Sequence, residues 1–171
     1  LQGGDRRSIG RSDEVAAEVL ADPPLFAELF QGMLHADPLV RMRSADALEK
    51  ITQVHPEYLQ AYKGSLLFKV SKVEQQEVRW HVAQMLPRLA LSAEEQNQAV
   101  QILTTYLGDQ SKIVQTFSLQ ALADLAENDP SLLPQVLAIL AGAANAGSPA
   151  VVSRAKSVSR LTAVAMPKGK A

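Results

Sequence analysis

The chain has 171 residues, of which 47% are apolar and 5% aromatic, with a formal charge of −1. That length fits one domain, and so small a net charge gives no strong field to draw the chain to nucleic acid or anionic lipid. Cysteine is absent, which excludes disulfides, thiolate metal sites and cysteine nucleophiles.

Leu and Ala outnumber the β-branched and aromatic residues, which favours helix over sheet. No window approaches the roughly 18 consecutive apolar residues of a membrane-spanning helix. The N-terminus, LQGGDRRSIGRSDE, lacks the apolar stretch of a secretory signal. It does not begin with Met, so a fragment or a processed form is expected, and the cytoplasm is the expected location.

In chain order, residues 1–11 are Gly- and Arg-rich without a period and are expected to form a flexible lead. Ser12 is placed to cap a short helix over 12–20, with Asp13 and Glu14 in its first turn. Asp22-Pro23-Pro24 stops it and opens a second helix over 23–35, with an apolar stripe at Phe26, Leu29, Phe30 and Met33. The stretch DPLVRMRSADALEKI follows, on a helix over 38–53, with its stripe at Val40, Ser44, Ala47, Leu48 and Ile51. Its pattern returns 38 residues later at Val78, Val82, Met85, Leu86 and Leu89, and after a further 36 at Val114, Ser118, Leu122 and Leu125. The second helix also has echoes, at HPEYLQAYKGSLL and at NDPSLLPQVLAIL, where Leu133, Leu137 and Leu140 align with Phe26, Phe30 and Met33.

Two helix types therefore alternate. Type A is predicted over 12–20, 38–53, 74–90, 111–127 and 148–165, and type B over 23–35, 56–71, 92–107 and 130–143. Aligning Ala150 with Val114 puts Ala155, Val158 and Leu161 on the last A stripe, after a loose GAANAG connection at 142–147. Residues 166–171 form a polar tail. A single helical domain is expected over 12–165. Each A/B hairpin needs neighbours to cover its apolar face, so about four and a half stacked hairpins are expected. A four-helix bundle is the competing all-α arrangement, but a bundle has no cause to repeat every 36–38 residues.

These residues resemble the HEAT-repeat family, including its bacterial HEAT-like members. The match is Asp37-Pro38-x-Val40-Arg41 with Ala45 and Leu48, and Val78-Arg79 with Ala83 and Leu86, against the family's D-P-x-V-R-x-x-A-x-x-A-L first helix. The third copy has Gln115 at the arginine position. The resemblance covers about 12–165 and implies a right-handed α-solenoid that binds macromolecular partners, usually on its inner, B-helix surface. It implies no reaction.

Arg41 and Arg79 follow the first valine of their stripes, where guanidinium groups would brace the repeats against Asp37, Asp109 or loop carbonyls. Trp80 falls almost opposite Val82 and Leu86 on a helical wheel, and its equivalents are Met42 and Thr116. It is read either as packing on a second face or as an exposed anchor for a partner. Away from their stripes the B helices carry Tyr58, Tyr62, Lys69, Gln98, Gln101, Thr105 and Gln135. These make either an ordinary solvated face or a groove for a protein or peptide with tyrosine anchors.

His35, His55 and His81 lack metal-ligand spacing, so no metal or cofactor is expected. No phosphate-cradling glycine loop follows a strand, and no serine or carboxylate has a histidine partner at a catalytic spacing. Pro87 and Pro134, inside predicted helices, are expected to kink them. The basic residues Arg41, Arg43, Lys50, Arg79 and Arg88 lie on A helices, which disfavours a DNA groove lined by B helices. The functional expectation is a non-enzymatic scaffold or adaptor. A nucleic-acid-associated accessory protein is the alternative, and a HEAT-like lyase a lesser one. Val15, Val19 and Leu20 at one end and Val158, Leu161 and Val164 at the other suggest end-to-end self-association if uncapped.

Overall fold

The computed structural model describes Leu1, residues 10–146 and, beyond them, Pro149, Val152, Ser153, Ala155, Lys156 and Val158. The described residues form helices and turns and no strand. The chain divides into two compact units, Leu1–Ala90 and Leu91–Ala171.

In the first unit, α1 spans Ser12–Ala21. A 3₁₀ turn, Pro23–Leu25, leads into α2, Phe26–Gly32. Helix α3, Pro38–Val54, starts with proline in its first turn and with Asp37 as N-cap, whose side chain accepts from the Leu39 amide. The long A helix is therefore set by its first two residues. It packs against α1, α2 and the segment that follows it, and also against α5, Gln76–Met85. Its predicted stripe is buried throughout, with Ala47, Leu48 and Ile51 fully enclosed. Leu48 and Ile51 each contribute about 1.5–3 kcal/mol relative to exposure. The equivalent stripe of α5 is also closed, from Val78 to Leu89.

The second unit holds α6, Ala93–Tyr106, α7, Lys112–Asn128, and α8, Leu133–Ala146. Ser92 and Glu95 form a reciprocal capping box at the start of α6, each side chain bonding the other's backbone amide. Helix α7 packs on both α6 and α8 and buries Val114, Ser118, Leu122 and Leu125 as its spacing predicts.

Several expectations are corrected. Ser12 is not the cap of α1 but its first residue, and its buried hydroxyl reaches across to α3. The predicted helix over 56–71 is broken into a 3₁₀ helix, Pro56–Tyr62, then α4, Lys63–Phe68, and a further 3₁₀ turn, Val70–Lys72. Pro87 does not kink a continuous helix. It ends α5, and a 3₁₀ turn over Leu86–Arg88 replaces the last turn, because proline has no N–H for the α pattern. Pro134 is the second residue of α8, where that N–H would be unpartnered anyway, so it kinks nothing. Residues 142–146 of GAANAG are not a loose connection, since α8 runs through Ala146, and Gly147 lies outside the described residues.

Of the last A helix, the described residues are helical, with Ala155 and Val158 buried. Leu161, Val164 and the tail 166–171 lie outside the described residues, as does the lead 1–11 apart from Leu1, Gly10 and Arg11.

Candidate functional site

The residues predicted to brace the repeats share one geometry. Arg41 donates from Nη1 to the carbonyls of His35 (2.8 Å) and Ala36 (2.9 Å), and from Nε to Gln75 Oε1 (2.8 Å). Gln75 donates in return to the Pro38 carbonyl at 2.9 Å, tying the start of α5 to the start of α3. Arg79 Nε donates to the Val73 carbonyl at 3.2 Å. Gln115 donates to the Asp109 carbonyl. In all three copies the accepting carbonyl lies six residues upstream. Asp37 is not among the acceptors of Arg41, since its carboxylate caps the Leu39 amide at 2.8 Å. Loop carbonyls take the place of carboxylates, and Gln115 serves where arginine is missing.

Tyr58 and Tyr62 are half-buried rather than solvated. Tyr62 stacks on Phe30 with ring centroids 4.5 Å apart and lies 5.4 Å from Phe26, and Tyr58 meets Phe26 edge-on at 5.5 Å. His55 stacks on Tyr58 at 5.1 Å. The two tyrosines thus form a corner between successive B-type segments, worth about 0.5–1.5 kcal/mol per ring pair beyond burial. Lys69 is exposed at the C-terminal end of α4. Trp80 is half-buried, like Met42 and Thr116 at the equivalent positions. In the second unit Gln98 is half-buried, while Gln101, Thr105 and Gln135 are exposed. The Thr105 hydroxyl bonds back to the Gln101 carbonyl at 3.0 Å.

A seam of charged residues links α1, α3 and α5, and no motif in the sequence announces it. Ser12 Oγ donates to Asp46 Oδ2 at 2.6 Å, and Lys50 Nζ donates to the same oxygen at 2.8 Å and to Asp13. Arg88 donates to the Glu49 carbonyl (2.7 Å), to Thr52 Oγ1 (2.9 Å) and to the Glu49 carboxylate. Lys50 and Arg88 are 38 residues apart, and each reaches back to an acid on the preceding A helix. The signal was therefore present in the repeat, in the pairs Asp13/Lys50 and Glu49/Arg88.

Within this seam His81 Nε2 lies 3.8 Å from Asp46 Oδ1, and its Nδ1 is buried without a hydrogen-bond partner. Burial pushes the His81 imidazole down to about 4, outweighing the upward pull of Asp46 and Glu49. His81 is therefore neutral at pH 7. Asp46 and Glu49 are each held by a cation, so the seam ties α1, α3 and the turn after α5 together. Among the described residues no cluster of three or more His, Asp or Glu could hold a metal ion.

No protein-family model, no curated protein and no solved structure matches the chain.

Proposed function

We propose that the chain is a HEAT-like α-solenoid scaffold that binds a protein or peptide partner on its B-type helices, without catalysing a reaction. The observation that carries this reading is the recurrent carbonyl brace at Arg41, Arg79 and Gln115. A stacked helical repeat needs a fixed hairpin-to-hairpin join, and nothing in a catalytic site calls for one repeated at 38 and 36 residues. The saturated charges of the A-type seam support placing the partner elsewhere. Gln101, Thr105 and Gln135 are exposed, uncharged and polar, as suits a rim that hydrogen-bonds to peptide backbone.

The test is capture of partners by the full chain and by a Gln101→Glu/Thr105→Lys variant with an unchanged melting temperature. Loss of the captured protein in the variant is expected. Retention there, together with loss in an Ile113→Lys variant on the exposed side of α7, would place the binding face on the A helices and overturn the assignment.

A further inference from the structure

Of the chain's four phenylalanines, three tyrosines and one tryptophan, Phe68 alone is exposed, at 52%. It is the last residue of α4, whose inward side is already taken by Leu66 and Leu67, with Val70 buried just beyond. Phe68 falls about 200° from Leu66 around the helix, so its ring is turned away from the core. One helical turn earlier, on the same side, stands Gly64, where an added Cβ would meet no atom within 4 Å. None of the described elements therefore covers this side of α4.

Lys69 and Lys72 flank the ring, and both are exposed. Neither side chain makes a hydrogen bond or an ion pair with a described residue. That sets them apart within the first unit. Every other lysine and arginine described there donates to a carboxylate or a carbonyl. From Tyr58 to Val73 the chain has three lysines and no acid. The preceding B-type segment, joined to this one by the Phe30–Tyr62 stack, has the opposite sign. From Asp22 to Asp37 it has three acids and no lysine or arginine.

An exposed ring beside two unpaired ammonium groups fits a ligand that sets an apolar side chain between carboxylates. A polyanion fits less well. Nucleic acid or an anionic bilayer extends past α4 and would meet the acids of the preceding segment. A short peptide need not.

We propose that Phe68, Lys69 and Lys72 form a docking site for an acidic segment of a partner protein. An aliphatic or aromatic side chain of that segment lies against Phe68 over the open surface at Gly64. Carboxylates on either side of it pair with the two lysines. The proposal rests on the reading that partners bind B-type segments, and it adds the chemistry of the one that binds in the first unit.

The test is selection from a random peptide library displayed on phage, with the full chain as bait, followed by fluorescence anisotropy on the enriched peptides. These peptides are expected to combine acids with large apolar residues and to bind more weakly as salt is raised. Lys69→Glu/Lys72→Glu and Phe68→Ser variants, each with wild-type melting, should each lose about tenfold in affinity. Peptides remade with lysine for each acid should bind the charge-reversed variant and not the wild type. Enriched peptides without an acidic excess overturn the proposal, as does a library that yields no binder, or binding unchanged in these variants. So does tighter binding by a single-stranded oligonucleotide or by phosphatidylserine vesicles, lost in the same variants, which would make the patch a polyanion site. Acidic peptides lost instead in the Gln101→Glu/Thr105→Lys variant would overturn this site and leave the B-face reading standing. Loss only in Ile113→Lys would overturn both.

Discussion

Lowering the pH from 7 to 4 should destabilise the first unit through His81. The unfolded imidazole takes up a proton near its ordinary value of 6.5, whereas the folded one resists until about 4, because burial disfavours the charged form. Between those values the unfolded chain binds more protons, so stability is full above 6.5 and falls as acid is added. A gap of that size corresponds to about 3 kcal/mol, of which about 2 kcal/mol is lost by pH 5.

The charged groups facing the ring are Asp46, Glu49 and Lys50 from α3 and Arg88 from the turn after α5. A His81→Phe variant serves as reference because it keeps those groups and removes the imidazole, and Phe117 stands at the equivalent place in α7. Urea denaturation should be followed through Trp80, the only tryptophan in the chain, whose ring lies 5.5 Å from that of His81. The wild type should lose about 2 kcal/mol more than the variant between pH 7 and pH 5. Parallel stability curves for the two proteins would show that His81 is not held neutral by burial, and would refute the reasoning.

Other outcomes follow from the joins and the packing. Arg79→Ala should cost about 1–2 kcal/mol and Gln115→Ala about 1 kcal/mol by thermal melting, since each leaves a loop carbonyl without its donor; unchanged melting would remove the bracing role. Tyr62→Phe should be neutral within about 1 kcal/mol, and Tyr62→Ala should cost about 2–3 kcal/mol in urea titration, because the ring and not the hydroxyl contacts Phe26 and Phe30. Gly32→Ala should destabilise by about 1–3 kcal/mol, since the added methyl would sit 2.1 Å from Ser44 Oγ. A gain instead, of the size helix propensity alone gives, would mean that α2 and α3 are not so closely packed.

The A helices were legible because a 3.6-residue period and a 36–38-residue repeat reinforce one another, and Val40, Val78 and Val114 are buried where both predict. The position of the brace was legible for the same reason, but its acceptors were not, since carboxylate and loop carbonyl looked equally open and Asp37 caps its own helix instead. Tyr58 and Tyr62 were misplaced because a wheel at 100° per residue does not apply over Pro56–Tyr62. At three residues per turn Tyr62 lies directly above buried Leu59 and turns inward. His81 showed no motif because its role comes from Asp46 and Arg88, which only tertiary packing brings beside it. Ser44 was illegible for a different reason. Its unmatched hydroxyl looks, in sequence, like the matched one at Ser118.

The change of pitch after α3 also bears on which mutations the chain can absorb. Seven residues of 3₁₀ helix advance about 14 Å, where an α-helix would advance about 10.5 Å. A one-residue deletion or insertion between Pro56 and Lys72 can thus be offset by trading one pitch for the other. The ends of α3 and α5 would hardly move. The same change inside α3 would rotate Val40 away from Ile51 by about 100° and disturb its contacts with α1, α2, α5 and the segment that follows it. Length variation in this chain belongs to the limbs between the long helices.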